Sequence, residues 1–324
     1  MDSMFENRTD LAGLAEAVAS IRRTVGEIVI GQSQMVDLMI AGLLSDGHLL
    51  IEGVPGVAKT LAAKLLARSM DVPFSRLQFT PDLMPSDVLG TSVFNPREGQ
   101  FVFQNGPIFS SIVLIDEINR APAKTQSALF EVMEERQVTV DGMTYQMADP
   151  FMVIATQNPV EQEGTYRLPE AQLDRFLFKI NVGYPSVTEE VEILNRQQHA
   201  SSAEMLSKVR PVLSAANLAE LRNVVKAMVV EPRLLEFIAN IVAGTRNNSF
   251  LYLGASPRAS LAILKSAKSL AAIRGRDFVV PEDITYVVPH VLRHRIILSP
   301  EKEMEGITAD DMVRQLLEKV EVPR

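Results

Sequence analysis

The stretch Gly53 to Thr60, GVPGVAKT, has residue types and a spacing that could bind a phosphate. It nearly matches G-x-x-x-x-G-K-[ST], in which backbone N–H groups at the start of a helix face phosphate oxygens. Lys59 would reach the β- and γ-phosphates and Thr60 would bind Mg²⁺. Ala58 stands where the motif has its last glycine, and its extra methyl costs little if φ at this position is negative. A glycine-rich turn with an exposed lysine is the structural alternative.

A pair of acidic residues follows a second apolar stretch, IVLIDE. Asp116 and Glu117 would lie at the carboxyl end of a strand, where open parallel sheets bind their ligands. Asp116 would hold Mg²⁺ and Glu117 would position and polarise an attacking water. Acidic residues also follow strands as solvated turn residues. Because that explanation leaves the glycine loop unexplained, the two motifs together favour a nucleoside triphosphatase.

Composition limits the class of protein. The chain has 324 residues, of which 47% are hydrophobic and 22% charged, so we expect a globular protein of two domains. It has no cysteine, which excludes disulfides and cysteine-bound zinc. The first residues, MDSMFENRTD, lack a secretory signal pattern, and the apolar runs are too short to cross a bilayer. We therefore expect a soluble cytoplasmic protein. The net charge of −8 argues against a nucleic-acid binder.

The order of apolar segments predicts an α/β domain followed by helices. Amphipathic helices are predicted over 11–24 and about 32–45, and another follows the glycine loop. Strands are predicted at HLLIEG, FSRLQF, IVLIDE and FMVIATQNP, with a helix over about Ala123–Glu135. Alternating strands and helices indicate a mostly parallel sheet.

Two hairpins and a helical half complete the prediction. One hairpin turns at Pro-Arg-Glu-Gly within TSVFNPREGQFVFQ, and the other turns at Asp141-Gly142. After VGYPS, five helical segments follow, separated by Pro, Gly or Asn. We place the boundary near Pro185, which gives a nucleotide-binding domain over 1–186 and a helical domain over 187–324.

Several motifs in one order resemble the MoxR family of AAA+ ATPases, in the subgroup with an insert in helix 2. They are GVPGVAKT and VLIDEINRAP (the Walker A and Walker B positions), ALFEVMEERQVTVDG, ATQNP, LPEAQLDRFLF and SPRAS. The resemblance runs from about Ala12 to His294. It implies an α/β P-loop NTPase fold: a parallel five-stranded sheet flanked by helices, followed by a smaller all-α lid.

The resemblance also implies roles for individual residues. Asn158 matches the sensor that orients the attacking water, although a plain turn residue before proline fits equally well. Arg175 resembles the arginine finger offered to a neighbouring subunit's γ-phosphate, with Arg167 as the rival for that role. Arg258 matches the second sensor, which reports the γ-phosphate to the helical domain. A salt bridge remains the structural alternative for Arg175 and Arg167.

The remaining candidates are weaker. Ile30 and Gly31, in VIGQ, resemble the segment that wraps the adenine, but a helix-to-helix link fits as well. On the first hairpin we favour simple packing of the aromatic side chains Phe94, Phe101 and Phe103 over a role facing a central pore. His290 and His294 are four residues apart without the glutamate of a zinc motif, so we do not expect a metal there.

The predicted nucleotide-binding residues form one set: Gly53, Val54, Pro55, Gly56, Val57, Ala58, Lys59, Thr60, Leu61, Ile30, Gly31 and Asp116. The predicted catalytic residues are Glu117, Asn158, Arg175 and Arg258, and Thr60 and Asp116 would hold Mg²⁺ with ATP. The expected reaction is ATP and water to ADP and phosphate, driving remodelling or maturation of a client protein by a homo-oligomer, expected to be a hexamer. The resemblance suggests a von Willebrand factor A domain protein as a further partner. A nucleic-acid motor, a metal-chelatase ATPase subunit and a nucleotide-gated scaffold remain alternatives.

Overall fold

The computed structural model describes residues 11–159, 166, 168–199 and 202–323 of the chain. Its strands are β1 His48–Gly53, β2 Phe74–Gln78, β3 Gly90–Asn95, β4 Gln100–Asn105, β5 Ile112–Asp116, β6 Gln137–Val140, β7 Met143–Gln146, β8 Met152–Gln157, β9 Phe176–Val182, β10 Leu251–Leu253 and β11 Ile297–Leu298.

The helices begin before the first strand and continue to the end of the described residues. They are α1 Ala12–Gly26, α2 Ser33–Leu44, α3 Lys59–Ser69, α4 Pro85–Leu89, α5 Ala123–Glu135, α6 Glu170–Leu173, α7 Val187–His199, α8 Ser202–Lys208, α9 Ala215–Ala227, α10 Pro232–Arg246, α11 Pro257–Ile273, α12 Pro281–Leu292, α13 Pro300–Met304 and α14 Ala309–Lys319.

Five strands form the central parallel sheet in the order β2-β5-β8-β1-β9. The four strands predicted from apolar runs are confirmed, and β9 is the fifth. Every residue of β5 is buried, as expected for a parallel strand covered on both faces. The strands all run the same way, so the residues that follow β1, β5 and β8 emerge at one edge of the sheet. We call this the carboxyl edge, and the opposite one the amino edge.

Both predicted hairpins form. β3 pairs with β4, and β6 pairs with β7 through Asp141 and Gly142, which have φ of 52° and 77°. Successive positive φ values are what a two-residue hairpin turn requires. The hairpins contact one another, because the rings of Phe103 and Tyr145 stack with centroids 4.3 Å apart.

The packing predicted for the hairpin aromatics is correct for Phe103 and wrong for Phe94 and Phe101. Those two side chains are 50% and 71% exposed and contact each other edge-to-face. Phe94 and Phe101 are exposed because the second hairpin covers only part of the first. Phe94 and Phe101 pair across the strands nearer the turn, beyond the point where Tyr145 covers Phe103.

The second half of the chain is a helical lid, so the predicted fold class is confirmed. The five predicted helices are present, with α8, α13 and α14 in addition, and a short antiparallel pair, β10 and β11, connects parts of the lid. We propose residues 186 and 187 as the division, since β9 ends at Val182 and α7 starts at Val187. The lid packs against the first two helices, because side chains of α1 and α2 share one apolar core with those of α9 to α12.

Within the described part of the chain, no helix combines the length and the apolar character needed to cross a bilayer.

Candidate active site

The glycine loop connects β1 to α3 at the carboxyl edge. A side chain at Gly53 would place its Cβ 2.6 Å from the carbonyl oxygen of Val182 in β9, so only glycine allows this close approach. Lys59, the first residue of α3, donates a hydrogen bond from Nζ to the Gly53 carbonyl at 2.6 Å. Lys59 is therefore half-buried and directed back over the loop. The alternative of an exposed lysine on a plain glycine turn does not describe this geometry.

The pKa of Lys59 is lowered overall by two opposing influences. Burial lowers the pKa of its ammonium group, while the nearby carboxylates Asp116, Glu117 and Glu52 raise it. The ammonium group thus lies within electrostatic reach of both acidic residues of the IVLIDE motif. The two predicted motifs meet in space.

Ala58 does not have the negative φ that would make its methyl group inexpensive. Its φ is 59° and its ψ 19°, in the left-handed region. This conformation costs a non-glycine residue about 1–2 kcal/mol. The loop therefore forms with alanine at position 58, but at a cost in stability that the glycine of the common motif avoids.

Asp116 is buried at the end of β5 and is held by two neighbouring strands. Its Oδ1 accepts a hydrogen bond from Thr156 Oγ1 of β8 at 3.1 Å, and its Oδ2 lies 2.7 Å from Nε of Arg76 in β2. Arg76 is therefore a cationic partner for the carboxylate that the sequence predicts to hold Mg²⁺.

Glu117 follows Asp116 with a φ of 58°. This left-handed conformation turns the chain sharply after the strand. The Oε2 atom accepts a hydrogen bond from Gln78 Nε2 at 2.9 Å and lies 3.0 Å from Arg120 Nε. The backbone N–H donates to Thr156 Oγ1 at 3.2 Å. Glu117 is thus oriented by β2, β8 and the short helical turn that follows it.

Asn158 lies at the same edge. In the pairing of β1 with β8, Glu52 is level with Gln157, so Asn158 is level with Gly53. The side chain is 9% exposed. Since β8 lies between β1 and β5, Asn158 emerges between the glycine loop and the two carboxylates.

Arg175 and Arg258 lie at the amino edge. Arg175 directly precedes β9, whose first residue pairs with His48 at the start of β1. His48 and Gly53 are separated by the length of β1, about 16 Å. The arginines of one chain are therefore a strand length from the phosphate loop of that chain.

The two arginines are brought together by a carboxylate near the end of α5. Arg175 Nη1 lies 3.4 Å from Glu134 Oε2 and donates to the Phe130 carbonyl at 2.7 Å. Arg258 Nη2 lies 3.2 Å from Glu134 Oε1. The three side chains line a cavity of about 360 Å³. Arg167, the rival for the finger role, lies outside the described residues.

Comparisons with known proteins show the family of the chain. Residues 48–178 match the ATPase family associated with various cellular activities (AAA), and residues 243–316 match the AAA lid domain. The chain is 46% identical to Chaperone MoxR1 of Mycobacterium tuberculosis over 96% of this chain and 85% of that one. The chain belongs to the MoxR family of AAA+ ATPases.

Two further proteins are similar to this chain over nearly its whole length. The uncharacterized protein YeaC of Bacillus subtilis is 48% identical over 96% of this chain and 95% of its own. The crystal structure of an ATPase candidate from Cytophaga hutchinsonii is 41% identical, with a TM-score of 0.89, and covers 96% of this chain and 97% of that one. The chain therefore shares its fold with this solved structure over nearly its whole length.

The predicted adenine segment lies beside the first lid helix. Gly31 has a φ of 74°, and a Cβ there would come within 2.8 Å of the Glu189 side chain of α7. Ile30 and Gly31 line a cavity of about 330 Å³ together with Val29, Val36 and other residues of the first two helices. The chain therefore has a cavity at the position where the resemblance to the MoxR family predicts that the adenine base binds. Helix α7 lies on one side of this cavity.

The residues at the carboxyl edge fit Mg²⁺ together with ATP. Among the residues that the structure describes, no three His, Cys, Asp or Glu side chains are grouped to hold a metal. Mg²⁺ is commonly bound by one or two protein oxygens together with phosphate oxygens and water, which Thr60 and Asp116 can match. His290 and His294 are both buried in the lid. Burial is the main cause that lowers the pKa of His290, to about 3.

Sequence reasoning missed the residues that orient the predicted ones. Arg76 and Gln78 alternate along β2, pairing with Leu114 and Asp116 of β5. Polar side chains on one face of FSRLQF were a signal, but only the strand order shows that they face Asp116 and Glu117. Glu134 lacked such a signal, because charged residues near the end of a helix are common.

Proposed function

We propose that the chain hydrolyses ATP to ADP and phosphate in a Mg²⁺-dependent reaction, as an assembly of identical chains. One observation carries this proposal: the phosphate loop and carboxylates lie at one edge of the sheet, and the arginine pair lies at the other. Each complete site then combines the carboxyl edge of one chain with the amino edge of the next. The predicted arginine finger acts between subunits in this arrangement.

The residues of the carboxyl edge have separate tasks. The backbone N–H groups of the loop from Gly53 to Thr60, except Pro55, which has none, bind the phosphates together with the Lys59 ammonium group, and Thr60 and Asp116 would hold Mg²⁺. The metal, when bound, neutralises charge on the β- and γ-phosphate oxygens. Glu117 positions the attacking water and accepts its proton, and Asn158 orients the same water.

The amino edge of the neighbouring chain completes the site. Arg175 and Arg258 present planar N–H donors to the γ-phosphate, where charge develops as the phosphoryl group leaves. An arginine finger contributes about 10³–10⁵ in rate. A chain without a neighbour therefore binds ATP but hydrolyses it slowly.

The placement of the two edges supports a repeating assembly, and the family resemblance suggests its work. A contact between two different edges repeats from chain to chain and forms a ring if it closes, and the family resemblance suggests six members. Hydrolysis would move the lid against the sheet and so remodel a client protein, with a von Willebrand factor A domain protein as a further partner. The exposed pair Phe94 and Phe101 provides an apolar surface for a client.

The test is steady-state ATP hydrolysis with Mg²⁺ at several enzyme concentrations, with particle size measured with and without ATP. We expect Lys59→Ala, Glu117→Gln and Arg175→Ala each to abolish most turnover, while Glu117→Gln still binds ATP. Lys64→Ala, at an exposed lysine of the same helix, is the matched control and should behave as the native chain. A native chain that binds ATP without turnover at every concentration would refute the proposal.

A further inference from the structure

Helix α7 has an apolar stripe that faces solvent. Val187, Val191 and Leu194 follow the three- and four-residue spacing of one helix face and are 77%, 51% and 63% exposed. Tyr184, just before the helix, is 73% exposed. Amphipathic helices normally turn such a stripe toward a core. A contiguous apolar surface of this kind marks an interaction site. We call these four side chains the α7 face.

The α7 face lies beside the nucleotide edge of its own chain. It follows β9, whose last residue, Val182, pairs with Gly53 of the phosphate loop. Within the first turn of α7, Glu189 lies against Gly31 of the predicted adenine segment. Any molecule that closes over the bound phosphates from outside the chain therefore meets α7 as well.

A second exposed apolar surface flanks the arginine pair. Leu261, one turn after Arg258 on α11, is 58% exposed and lines the same cavity as both arginines. Tyr252 and Leu253 are 78% and 44% exposed and line the adjoining cavity with Asp174. We call Tyr252, Leu253 and Leu261 the finger face.

The two faces carry opposite charge. The first half of α7 bears Glu189, Glu190 and Glu192, of which Glu192 pairs with Arg196 of the same helix. The finger face surrounds Arg175 and Arg258. Together with Arg136, Lys265 and Arg295, these cations outnumber the carboxylates that line the same cavity, Asp46, Glu134 and Asp174. An acidic helix with an apolar stripe thus complements a basic cavity with an apolar rim.

We propose that the α7 face docks onto the finger face of a second copy of this chain. The proposal rests on the proposed function, because the contact that brings Arg175 to a neighbour's Lys59 also brings the finger face to that neighbour's α7. Because the two surfaces differ, the contact is head-to-tail. In a pair of chains, one chain therefore keeps a free α7 face and the other keeps a free finger face, to which further chains can bind.

Two variants separate the faces. Val191→Gln with Leu194→Gln removes the α7 face, and Tyr252→Ser with Leu261→Gln removes the finger face; all four side chains are exposed, so the core is preserved. We expect each variant to raise the concentration for half-assembly with ATP by roughly 100-fold or more, because burial of two apolar side chains is lost. Val229→Gln, at a 66% exposed valine elsewhere on the lid, is the matched control and should assemble as the native chain.

Mixing the variants tests the head-to-tail contact directly. The α7 variant keeps its finger face, and the finger variant keeps its α7 face, so the mixture should form pairs that cannot grow. The single complete site uses the phosphate loop of the finger variant and the arginines of the α7 variant. Adding Glu117→Gln to the finger variant, which supplies the phosphate loop of that site, should abolish the turnover of the mixture.

Several results would overturn the docking proposal. Native assembly by the α7 variant would refute the docking of the α7 face onto a second copy of the chain. A mixture that stays monomeric would exclude the head-to-tail contact between these faces. Binding of fluorescent ATP by the monomeric variants shows that their nucleotide sites are intact. The docking proposal can then be tested separately from the proposed function. If turnover by the native chain depends on concentration but the α7 variant assembles as the native chain does, only the docking surface is contradicted. If the native chain assembles but shows no turnover at any concentration, only the proposed function is contradicted.

Discussion

The backbone angle φ at position 58 affects the free energy of unfolding of the chain. With φ at 59°, Ala58 holds a conformation that glycine adopts freely. We expect Ala58→Gly to raise the free energy of unfolding by about 0.5–1 kcal/mol, since relief of strain exceeds the greater entropy that glycine loses. Denaturant unfolding without nucleotide measures this change.

Ala58→Val is the matched comparison, because a β-branched residue is still less suited to positive φ. It should lower the free energy of unfolding. An Ala58→Gly chain less stable than the native chain would contradict the strain at this position.

Glu134 is a positioning residue for the arginine pair. Each of its carboxylate oxygens lies near one guanidinium group. We expect Glu134→Ala to lower kcat for ATP hydrolysis by roughly 10- to 100-fold, because both donors lose their common anchor. The KM for ATP should change little, since the phosphate loop of the binding chain is intact.

The control is Glu135→Ala, which removes the next exposed carboxylate of the same helix. It should leave both kinetic constants near native values. If Glu134→Ala raised KM and left kcat intact, Glu134 would instead belong to the nucleotide-binding half of the site.

At the scale of elements, one carboxylate connects the sheet to the lid. Asp174, before β9, accepts from Arg295 Nε at 2.6 Å and from Ser256 Oγ, the N-cap of α11, at 3.1 Å. The Arg295 side chain is 4% exposed. We expect Asp174→Ala to lower the free energy of unfolding by about 3–5 kcal/mol, because a buried cation loses its partner. Chemical denaturation followed by far-UV circular dichroism measures the loss.

Asp37→Ala is the matched control for this ion pair. Asp37 contacts Arg22 at the same 2.6 Å, but the two side chains are 28% and 39% exposed. Its loss should cost less than about 1 kcal/mol, as for other exposed pairs. Equal costs for the two variants would show that Asp174 does not compensate a buried charge.

At the scale of the whole molecule, buried histidines make stability depend on pH. Burial is the first cause in each case: it lowers the pKa of His48 and of His290 to about 3 and that of His294 well below its usual value. The unfolded chain binds protons at these residues below pH 6.5 while the folded chain does not. Stability should therefore fall as the pH drops from about 6.5 toward 3, by about 1.4 kcal/mol per pH unit for each histidine.

His290→Phe removes one of these groups. Its neighbours Phe178 and Tyr286 are aromatic, so the substituted ring has apolar contacts. Unfolding free energies measured from pH 8 to 4.5 should show a shallower decline than the native chain below about pH 6 and the same slope above pH 7. Parallel curves over the whole range would contradict a neutral His290 in the folded state.

The local parts of the site were predictable from sequence because they depend on neighbours in the chain. The glycine loop, Lys59 and the two carboxylates follow strands recognisable as apolar runs, and the strand ends place them at one edge. The hairpin turn at Asp141-Gly142 was equally local. The exposed tip of the first hairpin was not predictable, because the extent of its cover depends on where the second hairpin ends.

The sequence by itself determined the phosphate-binding chemistry, the α/β core and the helical lid, because motif spacing and apolar periodicity act over a few residues. Only the tertiary structure decided which partners meet. It set Arg76 and Gln78 against the carboxylates, joined Arg175 and Arg258 through Glu134, and separated that pair from its own phosphate loop by the length of a strand. Contacts of this kind depend on strand order and lid packing, which bring together residues far apart in the chain.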